Sequence, residues 1–232
     1  MAAAVVVLAL AGCESTQEKS RRLAEQGQEA FTEQGLRVGR PNPRVEIVES
    51  AVLTDANGAA AVAVLRNRDR DEQARLPVAI DVRRGGRSLF RNDAPGLEPS
   101  LVSVPLVSGG GRTVWVYDQV VAAQKPDAVK VTVGMPRGAP PRSIPRLRVQ
   151  GVRLESDAGL GAAAVGFVRN ESKIEQRELV LHGVARRGSR IVAAGRAQVR
   201  RVKPGARARF RMFFIGDPKG AELSISAPPT RF

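Results

Sequence analysis

The chain has one cysteine, Cys13, and one histidine, His182, in 232 residues. A single cysteine allows no internal disulfide. The same scarcity excludes metal sites that gather Cys and His ligands, and it leaves a nucleophile only one imidazole to serve as its base. No GxSxG, HExxH or P-loop spacing is present either, so the sequence offers no catalytic constellation and no cofactor motif. Aromatic residues make up 4% of the chain, so any core must rest on Val, Leu, Ile and Ala. After residue 13 no apolar run approaches the roughly 18 residues that a spanning helix needs. Long helical periodicity is also missing. These absences point to a non-enzymatic protein without cofactor or metal, soluble beyond its first residues.

The N-terminus is informative for what it contains. Residues 2–10 form an unbroken apolar run, and Leu10-Ala11-Gly12-Cys13 follows at once. A branched residue, two small residues and a cysteine resemble the lipobox of bacterial lipoproteins, in which the chain is cut before the cysteine and the thiol carries the lipid. Small residues let the chain enter a peptidase cleft, and a thiol is a nucleophile that accepts a lipid. The resemblance implies a signal peptide over 1–12, lipidation of Cys13, and an extracytoplasmic protein held at the bacterial cell membrane by that lipid. It also accounts for the odd cysteine. Export signals open on Lys or Arg and none precedes Cys13, so translation is expected to begin upstream of Met1.

Residues 13–44 are rich in Gln, Glu and Arg, with Leu23, Phe31 and Leu36 too sparse for a packed helical face. They read as a tether, with a weak helix over 18–32, ending at Pro41-Asn42-Pro43. Beyond it the pattern changes to short Val-rich runs broken by turns, and 59–65, 76–82, 112–117 and 128–133 read as strands. Leu76, Val78, Ile80 and Val82 alternate with Pro77, Ala79 and Asp81, the period of a half-buried strand. Asp55-Ala56-Asn57-Gly58 signals a hairpin turn, because Asn-Gly accepts positive φ.

The chain also repeats itself. A shift of 103 residues lays Arg66-Asn67 on Arg169-Asn170, Glu72-Gln73 on Glu175-Gln176 and Leu76 on Leu179. It lays Arg83-Arg84-Gly85 on Arg186-Arg187-Gly188 and Arg87 on Arg190, nine identities in all with no gap. Further on, 106–117 aligns with 202–213 after an excess of seven residues in the first copy, around 94–100. Two such copies predict an all-β chain of two tandem immunoglobulin-like antiparallel β-sandwich domains, over 45–135 and 147–232. A stiff linker rich in Pro and Arg over 136–146 would join them.

Gly166-Phe167-Val168-Arg169-Asn170-Glu171-Ser172, followed by a polar stretch and a long strand, resembles small exported immunoglobulin-like domains of the FxLYD type, where a strand ends in Asn before a loop. Val64-Leu65-Arg66-Asn67 is the first copy's version. Asp81-Val82-Arg83-Arg84-Gly85-Gly86 departs from the aromatic-Asp-x-x-Gly turn of that type. The resemblance implies the fold, export and an accessory role.

Several residues are candidates for function. His182 aligns with Ala79, opposite the core stripe, and is expected at the surface. The Asp55–Gly58 turn and its counterpart over 155–159 supply too few oxygens for calcium and are read as plain hairpin turns. Asn170-Glu171-Ser172 matches a glycosylation sequon by pattern only. Charge is unevenly divided: 45–135 holds 11 basic and 11 acidic residues, whereas 136–146 holds 3 and none, and 147–232 holds 17 and 7. In the second copy Arg207, Arg209 and Arg211 alternate with Ala208, Phe210 and Met212, so three guanidinium groups should line one outer strand face. Arg200, Arg201 and Lys203 are expected near them, with Arg190 or Arg196 completing a patch. Such a row attracts polyanions, since guanidinium pairs phosphate or carboxylate bidentately. Of 37 basic residues 31 are Arg, so a solvated face reflecting composition alone is the alternative. By the same alignment Val114 and Val116 match Phe210 and Met212. That places Trp115 and Tyr117 on the outer face, as an aromatic contact or beneath the 94–100 loop or a domain interface.

Two functions remain open on this reading. One is an accessory module that binds an envelope protein or an anionic wall polymer. The other is a structural spacer that presents or buttresses another envelope component. Nucleic acid is not expected as a partner, because no stacking aromatics accompany the basic residues.

Overall fold

A computed structural model describes residues 38–93, 97, 102–157 and 161–232. The lipobox, the weak helix over 18–32 and most of the 94–100 segment lie outside these residues. The described residues are all-β, built from thirteen strands. The first half holds β1 (Val45–Asp55), β2 (Gly58–Asn67), β3 (Gln73–Arg84), β4 (Arg87–Arg91), β5 (Ser103–Val107), β6 (Arg112–Val120) and β7 (Ala128–Val133). The second half holds β8 (Leu147–Asp157), β9 (Gly161–Asn170), β10 (Gln176–Arg187), β11 (Arg190–Val202), β12 (Arg207–Gly216) and β13 (Glu222–Ser226). Among the described residues no helix is long and apolar enough to cross a membrane.

Both halves follow one plan. In the first, an antiparallel sheet β1-β2-β6 faces a second sheet in which β3 pairs with β4, β5 and β7. Leu65, Leu76, Val78, Val82, Trp115 and Tyr117 fill the core between them. In the second half the strands form one sheet, β13-β10-β11-β12-β9-β8, wrapped around Leu179, Leu181, Val199, Phe210, Met212 and Phe214. Gly183 and Gly195 sit directly opposite each other on β10 and β11. A Cβ on Gly183 would run into the Met212 sulfur, and one on Gly195 into the Phe213 carbonyl oxygen. Their bare backbones let β12 close over the bend. The continuous β11 of the second half corresponds to two separate strands, β4 and β5, in the first. At that break the buried Asn92 accepts the Ile80 N–H at 2.7 Å and donates to the Val78 carbonyl at 2.8 Å. Its amide thereby supplies the backbone pairing that the interrupted strand no longer makes.

The repeated Asn and Gln residues hold the loops and chain ends in both copies. Asn67 donates to the carbonyls of Asp71 and Val107 and accepts the Asp69 N–H. Asn170 donates to those of Ile174 and Val202 and accepts the Ser172 N–H. Each organises the loop that follows its strand, and neither is exposed. The sequon asparagine is therefore fully engaged in the folded chain. Buried Gln73 accepts from Asn42 where the chain enters, and buried Gln176 accepts from the Thr230 N–H where it leaves. Two residues beyond each Gln, Arg75 and Glu178 adopt positive φ (53° and 46°). Both copies thus place a left-handed residue at the same point without a glycine and without a shift in strand register.

The strand register corrects the sequence alignment. Arg66 pairs with Arg112 and Arg169 with Arg207, so the offset here is 95 and the first half carries eight extra residues rather than seven. One residue of slip exchanges the two faces of a strand. Trp115 and Tyr117 therefore match Phe210 and Met212, and they are buried in the first core at 0% and 2% exposure. They do not form an exposed aromatic pair. Val114 and Val116 take the outer face, as the counterparts of Arg209 and Arg211.

That outer face is covered by the second half. Val62, Val64 and Val116 pack with Val184, Ile191 and Ala194 into a third apolar cluster, edged by Ala51, Leu53 and Val114. Charged groups bind the seam. Arg196 reaches Asp118 at 2.9 Å with its own side chain 5% exposed, and its guanidinium lies 5.2 Å from the Tyr117 ring centroid. Arg186 grips Glu49 with two N–H groups, at 2.6 and 3.3 Å. Asp55 of the β1–β2 turn accepts the Gly216 N–H at 2.8 Å, so its carboxylate is committed to the seam and to its own turn.

Candidate functional site

A strongly basic surface lies on the outer face of β8, β9 and β12, away from the end of β12 where Gly216 meets Asp55 of the first half. Residues directly opposite each other on antiparallel strands share a face. Arg148 stands opposite Arg169, and Arg169 opposite Arg207, so three arginines lie side by side across three strands. The next level reads Gln150, Phe167 and Arg209, and the next Arg153, Val165 and Arg211. Six of these nine positions are arginine, and all six are exposed. Beneath them Ala208, Phe210 and Met212 of β12 turn inward to the core, which is why the strand alternates.

Few carboxylates balance this charge. Glu171 is shared by Arg146 at 3.2 Å and Arg148 at 3.0 Å. Glu155 is shared by Arg153 at 2.9 Å and Arg211 at 3.9 Å. None of the described carboxylates pairs with Arg169, Arg207 or Arg209. Arg207 lies over the half-buried Phe167 ring at 4.8 Å from its centroid, and Arg211 over Phe213 at 5.3 Å. Val165 shares this outer face with its cross-strand neighbours Arg153 and Arg211, yet it is 1% exposed. Adjacent like charges repel across a sheet, so this array is tolerated only because water screens it or an anion neutralises it.

The structure redraws the basic patch expected from sequence. Arg207, Arg209 and Arg211 do line one face. Their neighbours are Arg148, Arg153 and Arg169, which the sequence pattern did not single out because β8, β9 and β12 are brought together only by folding. Arg196 is not part of the patch, since it is enclosed in the seam with Asp118. Arg190 sits at the β10–β11 hairpin opposite Arg187. That is six residues along β11 from Arg196, or about 20 Å. Arg200, Arg201 and Lys203 are exposed at the far end of β11, where Arg201 is paired with Glu175 at 2.7 Å.

His182 also departs from expectation. It faces outward from the second sheet, as its match to Ala79 implied, yet it is 1% exposed because the first half covers that face. Its neighbours across the strands are Arg196 and Ser226. Nδ1 accepts the Val116 N–H from the free edge of β6 at 3.1 Å, which places the ring proton on Nε2. Burial, and then the Arg196 charge, push the imidazole down from its ordinary 6.5 to about 3. The unfolded chain takes up a proton below about pH 6.5 and the folded chain does not, so stability is complete above that value and is lost as pH falls towards 3. About 2 kcal/mol should be gone by about pH 5. Urea unfolding at about pH 7.5 and about pH 5 measures this loss, which His182→Gln should remove. A variant with an undiminished pH dependence would place the effect on other groups.

An open cleft of about 410 Å³ near the β1–β2 turn has Asp55 and Lys125 as its ionisable lining groups. Among the described residues no three His, Cys, Asp or Glu side chains gather closely enough to hold a metal ion. No family model matches the chain, and no curated protein matches it.

Proposed function

We propose that this chain is a lipid-anchored, non-enzymatic protein of the bacterial cell envelope that binds an anionic partner through the β8–β9–β12 face. The observation that carries the reading is the row Arg148-Arg169-Arg207 on three neighbouring strands, with Arg209 beside it and two carboxylates to offset the array. Cys13 in its lipobox supplies the anchor, and the partner is an envelope protein or an anionic polymer of the wall. A structural spacer is the second reading. It is favoured by the apolar seam and its Arg196–Asp118 and Arg186–Glu49 pairs, which fasten the two halves together.

Titration of the full chain against polyaspartate and against a phosphate polymer at low salt separates the two. The binding reading expects association with at least one polyanion, weakened about tenfold or more when Arg207, Arg209 and Arg211 are replaced by Ser, at an unchanged unfolding midpoint. Absence of binding to both polymers would leave the spacer.

A further inference from the structure

We infer that the β8–β9–β12 face binds an extended phosphodiester polymer whose charges are separated by polyol or sugar bridges. This rests on the reading of the face as an anion site and narrows it to one ligand class.

The layout of charge is the first argument. The arginines form two rails, Arg148 and Arg153 on β8 and Arg207, Arg209 and Arg211 on β12, with Arg169, Phe167 and Val165 of β9 between them. Strands about 4.8 Å apart set the rails about 10 Å from each other, and alternate residues set successive charges on β12 about 6.8 Å apart. A phosphodiester chain bridged by two or three carbons repeats its charge at roughly 6–7 Å by ordinary bond lengths. Such a chain keeps register with the β12 rail. The surface is a sheet face whose six arginines are exposed, so it suits a ligand that lies along it.

The floor is the second argument. Half-buried Phe167 on β9 gives the strip between the rails an apolar spot, and Phe213, next in line after Arg211 on β12, adds apolar surface at 36% exposure, whereas Val165 is 1% exposed and offers none. Carbon bridges gain contact there while their phosphates reach the rails. A densely charged ion without carbon would gain nothing from that strip.

The third argument concerns the kind of anion. Arg148, Arg169 and Arg207 approach from three strands, and none of the described carboxylates pairs with the last two. A phosphodiester presents two non-bridging oxygens on a tetrahedral centre, so guanidinium groups from neighbouring strands each find an acceptor. Single carboxylates already bridge pairs of arginines on this face, Glu171 between Arg146 and Arg148 and Glu155 between Arg153 and Arg211, so a carboxylate polymer is the competitor that the binding test must separate.

The test is equilibrium binding of the full chain to four probes. These are an oligomer of glycerol phosphate, polyaspartate of equal charge, oligothymidylate of equal charge, and phosphatidylglycerol vesicles. The glycerol phosphate chain should bind at least tenfold tighter than polyaspartate. With about four phosphates neutralised, its affinity should fall about 50-fold between 50 and 200 mM salt. Replacing Arg169, Arg207 and Arg209 by Ser should weaken binding at least tenfold and flatten the salt dependence, with the unfolding midpoint unchanged. Equal or tighter binding of polyaspartate overturns the phosphodiester assignment and leaves the anion site standing. Preference for oligothymidylate means that the bases are recognised and overturns a polymer of polyol or sugar phosphates without bases, and preference for vesicles overturns an extended chain. Binding that survives the triple replacement overturns the site, and no binding to any probe overturns both the inference and the function it rests on.

Discussion

Replacing Arg196 by alanine is expected to lower the stability of the folded chain by about 3 kcal/mol, the lower end of the range for breaking a buried ion pair. Arg196 is 5% exposed and Asp118 is 21% exposed. Loss of the guanidinium would leave the Asp118 carboxylate half-enclosed with no cation and would strip the Tyr117 ring of its cover. Asp118→Ala should also be destabilising, because the largely buried arginine then loses this carboxylate next to the neutral His182. Removing both partners should cost clearly less than the sum of the two, since no uncompensated charge is left in the seam. Urea unfolding followed by the fluorescence of Trp115, the only tryptophan, measures all three variants. Losses below about 0.5 kcal/mol would mean that the pair behaves as a surface ion pair and that the seam does not depend on it.

Trp115→Ala is expected to cost about 3–5 kcal/mol, as for other large aromatic truncations in a packed core. Trp115 is fully buried, its ring 6.1 Å from that of Tyr117, which in turn lies 5.7 Å from Phe90. Trp115→Phe should be milder. Its counterpart in the second half is Phe210, and the buried indole N–H has no hydrogen-bond partner among the described residues, so removing it strands no acceptor. Far-UV circular dichroism is the appropriate probe, because the variants lose the fluorophore. The experiment also decides the register of β6: if Trp115 pointed outward, its truncation would cost within about 0.5 kcal/mol.

The expected strand over 59–65 lies within β2, that over 76–82 within β3 and that over 112–117 within β6, while 128–133 coincides with β7. These runs were legible because β-branched residues alternate with polar or small ones between turn signals. The repeat was legible where identities are dense, from Arg66 to Arg87, and there it marks the buried Asn and Gln that organise both copies. It misled beyond the 94–100 segment. An insertion in a loop can be placed one residue too early or late at almost no cost in matched residues, yet in a strand that single step exchanges inside and outside. Trp115 and Tyr117 were misassigned for this reason alone.

His182 was misjudged for a different one. Its side chain points away from its own core, as the alternation along β10 requires, and nothing in that local pattern records that another sheet lies on top. The arginine array was half legible. The alternation of Arg207, Arg209 and Arg211 with apolar residues announces an outer face, but Arg148 and Arg169 lie 59 and 38 residues earlier in the chain.

By itself the sequence determined what depends on neighbours along the chain: an all-β fold, the strand periods, the duplicated loops held by Asn67 and Asn170, and a β12 whose cations share one side. Only the tertiary structure decided what depends on which strands meet. Antiparallel register set Arg148, Arg169 and Arg207 abreast, and packing of one half on the other turned Val62, Val116 and His182 from surface residues into an interior. Strand periodicity distinguishes the two faces of a strand; what lies against each face is set by contacts between residues far apart in the chain.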